Sequence, residues 1–446
     1  MTRVRFAALP TGPLTVGTAR IALLNFLHAR RHHGHLLLRF ADLTPRSAPE
    51  HAAAIEHDLD WLGIEWDATL RQSEQSAVYT EAADTLKRAG RLYPCFETEA
   101  ELRAKRDRRV KRGLPPIYDR AMLQLTRAQR DAAEAGGKRP YWRFLLSDRT
   151  VEWRDLVLGH REVALPSLSD PIVLLADGTP TRAFAGVVDD LATGITDLVR
   201  SETQVTASAV AIDLYEALSG DASRLSFAHL PPLEDAGEKR LARRVDARTL
   251  RSLRHDGVEG AALSAYLARV GTPIVPQASP ETASLQTLAA TFDLSQFSPQ
   301  PTPFKAAALL ALNRQVLRSL DFPVVADRLP AGATDSFWLA VRGELDLLNE
   351  ARGWWDVVAG SIVPPEIPER DLLATALELL PSEPWNGKVW QDWTAALGDA
   401  TGRSGEALAL PLRLALTGED GGPDLAALLP LIGRARAVYR LQVAAQ

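Results

Sequence analysis

Residues 4–20, VRFAALPTGPLTVGTAR, constrain the fold more than any other stretch of the chain. A short apolar strand enters a turn built on Pro10, Gly12 and Pro13, and the turn opens a helix predicted to run to about His33. Such a passage can set backbone N–H groups and the positive end of a helix dipole against a phosphate. Gly12 and Gly17 are candidates for close backbone approach, with Thr18 beside them. The apolar run Leu36–Phe40 then completes a strand–helix–strand unit, the element from which parallel sheets are built.

At 446 residues the chain exceeds one compact core, and roughly two to four domains are expected. No apolar run approaches the roughly 20 residues that span a bilayer, and no secretory leader pattern opens the chain. One cysteine, Cys95, excludes an internal disulfide framework and a cysteine-based zinc site, and it points to a reducing cytoplasm. The net charge of −5 gives no global pull toward nucleic acid. Two local basic runs stand out: Arg103, Lys105, Arg106, Arg108, Arg109, Lys111 and Arg112; and Lys239, Arg240, Arg243, Arg244, Arg248, Arg251 and Arg254. Each reads either as a solvated helix face or as a phosphate-contacting surface.

Amphipathic helices are predicted over 48–63 and 76–90. Short strands around Trp142–Phe144 and Val151–Trp153 follow the first basic run and suggest an insertion in the sheet domain. Strands are predicted at Ile172–Leu175 and near Ala183–Val188, joined through a hairpin turn at Asp177–Pro180, with a return to the sheet through Val187–Asp190 and Ile195–Arg200. A helix is expected from Thr206 to Leu218. Beyond about residue 236 the pattern is helical, with proline-rich breaks at 273–280, 298–303 and 364–368.

An ordered set of segments carries a family resemblance along nearly the whole chain. These are RFAALPTGPLTVGTARIALLNFLHAR, DLDWLGIEWD (58–67) with Gln72, Ser73, Glu74 and Tyr79, RLYPCF (91–96), DGTPTRAFAGVVDDLATGITDLVRSET (177–203), FAHLPPL (227–233), ALNRQVLR (311–318) and PLRLALTG (411–418). The chain resembles the glutamyl-tRNA synthetase family of class I aminoacyl-tRNA synthetases. The resemblance implies an α/β fold: a Rossmann-type catalytic domain (1–95 and 150–235) with an acceptor-stem-type insertion (96–149). A stem-contact helical domain (236–320) and an α-helical anticodon-binding-type domain (321–446) follow. It also implies ATP with Mg2+, tRNA as partner, no zinc, a monomer, and formation of a glutamyl adenylate in the presence of tRNA.

Several positions depart from the family pattern. The His-Ile-Gly-type loop is replaced by Thr15-Val16-Gly17-Thr18, which keeps the glycine and loses the imidazole. Loss of a charge-stabilising donor to a reacting phosphate costs about 3 kcal/mol in the barrier. The second ATP loop, Lys-Leu-Ser-Lys-Arg in the family, is aligned with Arg240-Leu241-Ala242-Arg243-Arg244, with Lys239 one residue away. In the amino-acid pocket Arg5, Ala7 and Arg200 match, and Arg200 is the candidate for the side-chain carboxylate. The acidic residue expected to hold the ammonium is Ala41, the expected tyrosine is Arg182, the expected asparagine is Gly186, and an aromatic or histidine is replaced by Gln204.

Among matched residues, Gly12, Gly17, Asp189, Asp190 and Gly194 have a backbone reading, Asp42 a capping one, and Trp61, Trp66 and Trp385 a core one. Cys95 is expected to be a small buried residue and no metal site is expected. The concentration of changes at the chemistry predicts a pseudoenzyme-like relative whose charging is impaired or repurposed. The alternative is an active glutamate–tRNA ligase with unusual ATP and glutamate sites. A tRNA-modifying relative is disfavoured because residues 320–446 are present.

Overall fold

The computed structural model describes residues 1–235, 248–274, 284–385 and 387–446. Two compact units emerge: residues 1–251 with the described parts of 264–305, and residues 252–263 with 306–446.

The first unit opens as the sequence leads one to expect. Strand β1 (Arg3–Ala8) leads to α1 (Val16–Arg31), β2 (His35–Phe40), α2 (Pro49–Trp61) and β3 (Ala68–Arg71). The three strands pair in parallel in the order β1-β2-β3. Helix α1 is buried along almost its whole length, and His28, Arg30 and Arg31 lie in its last turn, where cations favour the dipole. It ends two residues before the expected His33, whose φ of 50° has already left the helix.

Helix α3 (Ser76–Arg88), β4 (Leu92–Cys95), α4 (Glu99–Lys111), α5 (Arg127–Ala135) and β5 (Tyr141–Phe144) follow. A reciprocal capping box between Thr98 and Glu101 starts α4. Next come β6 (Thr150–Asp155), β7 (Gly159–Ala164) and β8 (Ile172–Leu174). Strand β5 lies between β4 and β8 in a small antiparallel sheet.

The segment after β8 differs from the sequence expectation. The Asp177–Pro180 turn forms, with Gly178 at φ 89° and Leu175 N–H donating to Thr179 O at 2.8 Å. Its second arm is only an isolated bridge between Leu174 and Pro180. The expected strand near Ala183–Val188 and the return at Val187–Asp190 are instead one helix, α6 (Arg182–Ala192). Every residue from Phe184 to Asp190 is buried, so tertiary burial of the helix outweighs the β preference of the valine pair.

Strand β9 (Asp197–Ser201), α7 (Val205–Ser219), β10 (Ser226–Leu230) and β11 (Leu233–Asp235) complete the run. A four-stranded sheet is ordered β7-β6-β10-β9. Thr196, just before β9, exchanges hydrogen bonds with Arg3 at the start of β1. Strand β12 (Thr302–Phe304), inside the proline-rich break expected at 298–303, pairs in parallel with β11.

The second unit is helical. Its core includes the fully buried Trp338 and Trp393. Buried Arg440 donates to the carbonyls of Leu416 (2.5 Å), Val357 (2.6 Å) and Gly360 (3.0 Å), near the C-terminal ends of helices Glu406–Thr417 and Ala351–Ala359. Gly422 is required at its position: at φ 115°, a Cβ there would lie 2.2 Å from the Trp354 ring.

Candidate functional site

A cavity of about 750 Å³ opens in the first unit. It falls in the range of ligand pockets, roughly 300–1,000 Å³. Its walls come from the end of β1, the start of α1, α6, the end of β9, α7 and the segment 230–233. Arg5, Arg20, Arg39, Arg182 and Arg200 all line it, and no aspartate or glutamate does among the described residues.

Three of these arginines, Arg5, Arg39 and Arg200, belong to a buried charge cluster around Asp190, which is itself outside the lining. Arg39 Nη1 lies 2.6 Å from Asp190 Oδ1, Arg5 Nε 3.3 Å from the same oxygen, and Arg200 Nη2 3.8 Å from Oδ2. Arg39 Nη1 also donates to Gly186 O at 2.9 Å. Gly186 and Asp190 lie four residues apart on α6, so one helix face presents both to Arg39. Neighbouring Asp189 accepts from Gln72 Nε2 and Tyr79 Oη, each at 2.8 Å. The two carboxyls respond differently. Burial raises Asp189 above its ordinary value. Burial also pushes Asp190 upward, but Arg39, Arg5 and Arg200 together outweigh it and hold Asp190 below the ordinary value.

Three guanidinium groups share the charge of one strongly ionised carboxylate. Burial, then the neighbouring Arg5, lowers Arg200 to about 9, so it is still cationic at neutral pH. The Nε atoms of Arg39 and Arg200 are buried and have no acceptor among the described residues. Orphaned buried donors are costly, and these two add to the positive character of the cavity wall.

The structure places the sequence candidates unevenly. Arg5, Ala7, Thr15, Gly17, Thr18, Arg182, Gly186, Arg200 and Gln204 all line the cavity. Arg182 begins α6, is exposed, and pairs with none of the described carboxylates. Gly12 and Ala41 do not line it. Ala41 is buried and its N–H donates to Ala8 O at 2.8 Å; two residues after Arg39, it is on the same side of the extended chain as that cavity-lining arginine but outside the lining itself. A Cβ at Gly12 would meet nothing within 4 Å, so no crowding demands glycine there. Gly194 has φ 66°, a conformation that favours glycine.

Thr15 lines the cavity and also caps a helix. Its Oγ1 accepts from Thr18 N–H at 3.3 Å as the N-cap of α1, and lies 3.1 Å from Thr18 Oγ1. An isolated bridge joins Thr15 to Thr249, and Val16 N–H donates to Arg248 O at 2.8 Å. The second-loop candidates Lys239, Arg240, Ala242, Arg243 and Arg244 lie outside the described residues.

Asp42 accepts from Ser73 N–H and Oγ at 2.9 and 2.7 Å and so holds the turn that precedes α3. Trp61, Trp66 and Trp385, expected in the core, are only half-buried. The indoles of Trp66 and Trp385 donate to Thr69 Oγ1 and Pro381 O. Cys95 is fully buried, and burial raises its thiol to about 11. No His/Cys/Asp/Glu cluster suited to a metal occurs among the described residues.

Sequence reasoning missed Arg39 as a site residue and assigned Asp190 only a backbone role. The available signal was complementary charge in two apolar segments, LLLRF and FAGVVDDLA, each too hydrophobic to leave its charges in water.

A second surface is basic. No residue of α4 is buried, and Arg106, Lys111 and Arg112 are exposed and pair with no described carboxylate. Lys105 is bound by Glu97 and Asp119, and Arg103 by Glu99. No helix among the described residues is long and apolar enough to cross a membrane.

Comparisons with known proteins agree with this architecture. The profile of the tRNA synthetases class I (E and Q) catalytic domain matches residues 1–310, and that of an anticodon binding domain matches residues 366–445. Glutamate–tRNA ligase 2 of Acidiphilium cryptum (strain JF-5) is 55% identical over 447 residues, covering 100% of both chains. The protein of the same name from Granulibacter bethesdensis is 55% identical over 444 residues, covering 99% of this chain and 98% of its own. The fold matches the crystal structure of a glutamate tRNA ligase from Elizabethkingia meningosepticum in complex with its amino acid, with a TM-score of 0.84 and 24% identity over 100% of this chain and 99% of that one. The chain therefore belongs to the glutamate–tRNA ligase family of class I tRNA synthetases, with their catalytic fold followed by a helical anticodon-binding region.

Proposed function

We propose that this chain is an active glutamate–tRNA ligase with unusual ATP and glutamate sites. It activates glutamate with ATP and transfers the glutamyl group to the terminal ribose of tRNA. One observation carries the reading: the cavity is lined by five arginines and, among the described residues, by no carboxylate. A dicarboxylic amino acid and a triphosphate are the anions such a cavity fits. The 55% identity to proteins called glutamate–tRNA ligase 2 favours this reading over an impaired one.

In this reading Arg200, supported by Arg5 and Arg39, receives the side-chain carboxylate. A carboxylate offsets part of the net positive charge of the cluster and a carboxamide does not, so glutamate is selected over glutamine. Gly17, Thr18 and the N-terminus of α1 face the triphosphate, while Gly12 lies outside the cavity wall. Thr15 supports that helix end. Lys239, Arg240 and Arg243 supply further phosphate contacts by family resemblance. No carboxylate lines the cavity among the described residues, so Mg2+ would be carried by the phosphates of ATP. The four-part division at 95/96, 149/150, 235/236 and 320/321 is retained as a proposal. In it, exposed Arg106, Lys111 and Arg112 of the inserted segment meet tRNA phosphates. The reading places the protein in the cytoplasm as a monomer.

The test is ATP–pyrophosphate exchange and charging of bulk tRNA, with glutamate and glutamine in parallel. Glutamate-dependent turnover of about 1 per second or faster, with little response to glutamine, is the expected result. Absence of exchange at saturating glutamate, ATP and tRNA overturns the reading and restores the impaired one.

A further inference from the structure

Behind Arg200 runs a buried polar chain that the proposed reaction does not itself use. Arg200 Nη1 donates to Ser208 Oγ at 3.1 Å. Ser208 Oγ lies 2.8 Å from His229 Nε2, and His229 Nδ1 lies 2.5 Å from Asp155 Oδ2. Ser208 and His229 are fully buried and Asp155 is 2% exposed. The four residues come from four elements: β9, α7, β10 and β6.

The polarity of the chain follows from its fixed end. Asp155 Oδ1 accepts from the backbone N–H groups of Val157, Leu158 and His229, each at 3.0 Å. Burial pushes the Asp155 carboxyl upward, but His229 and these donors outweigh it, so the group is ionised. An ionised Oδ2 keeps a proton on His229 Nδ1. Nε2 then accepts the Ser208 hydroxyl proton, and the free lone pairs of Oγ turn toward Arg200. The same atom types occur in hydrolytic triads, but this hydroxyl is buried, and it accepts from a guanidinium instead of facing a substrate carbonyl.

The consequence concerns where Arg200 points. Its Nη2 stands 3.8 Å from Asp190 Oδ2, short of a full hydrogen bond, and its Nε has no acceptor among the described residues. An untethered guanidinium this close to a buried carboxylate would close that gap and form a tight ion pair. We propose that Ser208, His229 and Asp155 form a positioning relay that holds Arg200 back from Asp190 and keeps it available to the side-chain carboxylate of the substrate. This rests on the proposed role of Arg200, and the experiment separates the two.

The full-length Ser208→Ala protein is compared with wild type and with Ser208→Thr, which retains the hydroxyl. In tRNA-dependent exchange, Ser208→Ala is expected to raise KM for glutamate about tenfold, the size of one hydrogen bond to a charged group. KM for ATP stays within twofold, and Ser208→Thr restores KM for glutamate. A crystal structure of Ser208→Ala is expected to show a guanidinium nitrogen of Arg200 at hydrogen-bond distance from Asp190. Unchanged KM for glutamate, or equal rises in both KM values, overturns the relay. If wild type itself lacks glutamate-dependent exchange, the functional reading fails, and the crystal structure alone decides: Arg200 unmoved in Ser208→Ala overturns the relay, and Arg200 on Asp190 supports it.

Discussion

Replacing Asp190 with asparagine tests the charge argument at its centre. Asp190 is 2% exposed and has three guanidinium groups within 4 Å. Asparagine keeps the shape and one acceptor oxygen but removes the charge. The nearest remaining carboxylate is Asp189, whose Oδ2 is 3.6 Å from Arg39 Nη1 and is already occupied by Gln72. Breaking a buried ion pair by removing one partner costs about 3–5 kcal/mol, and that is the expected loss at pH 7. Hydrogen exchange of peptides from β1 and β9 reads this cluster by itself. Added glutamate or inorganic phosphate should return part of the loss, since an anion at 100 times its Kd contributes about 2.7 kcal/mol.

The pH dependence has a definite sign. The folded-state value of Asp190 lies below its ordinary 3.8. Its contribution is therefore fully present above the unfolded value and is lost as pH falls through the folded value. Wild type and Asp190→Asn should differ most at neutral pH and draw together in acid below about pH 4. A difference under about 1 kcal/mol at pH 7, well short of the cost of a broken buried pair, would refute the reasoning. So would a protective effect of added anion no larger than in wild type.

Three further outcomes are expected. Thr15→Ala should lower stability by about 1 kcal/mol through the lost N-cap and change kcat less than threefold, as seen by thermal unfolding and exchange assays; a hundredfold fall in kcat would instead make Thr15 a group on the reacting phosphate. Arg440→Met orphans three carbonyls and should destabilise the helical unit by about 3–5 kcal/mol, read by fluorescence of the tryptophans around Trp338 and Trp393; a change under about 1 kcal/mol would mean the carbonyls find other donors. Cys95, buried with its thiol raised to about 11, should react with iodoacetamide at pH 8 far more slowly in the native protein than in urea, and equal rates by mass spectrometry would contradict its burial.

The opening strand–helix–strand unit was legible because each element obeys its own period and the turn residues punctuate it. Helix α6 was not legible, because Val187-Val188 after a glycine turn carries a local strand preference that only tertiary burial overrides. Ala41 illustrates another limit. Alignment gives the position in the chain, but not how far the cavity extends along the strand, and the lining reaches Arg39 and stops short of buried Ala41. The same holds for Thr15, where reading a missing imidazole hid the capping pattern Thr-Val-Gly-Thr. Arg39 escaped notice because a single arginine in a strand looks like a solvent-facing alternate until its buried partner on α6 is known.

The loss of family residue types is a weaker sign of lost function than it looks, because neighbouring positions change the meaning of each loss. At Gly186 a Cβ would lie 3.4 Å from Arg39 Nη2. A longer polar side chain there would compete with Arg39 for the same space, and Arg39 already donates to Gly186 O. Glycine at 186 and arginine at 39 therefore act as one arrangement, in which a guanidinium occupies the wall that an amide would otherwise form. Arg182 at the start of the same helix adds positive charge where no carboxylate among the described residues lines the cavity. Under the proposed function, recognition in such a cavity would be weighted toward the carboxylates of the amino acid and away from its ammonium group. The quantity to compare between relatives is thus the net charge and the unpaired donors of the cavity, which here remain suited to an acidic substrate.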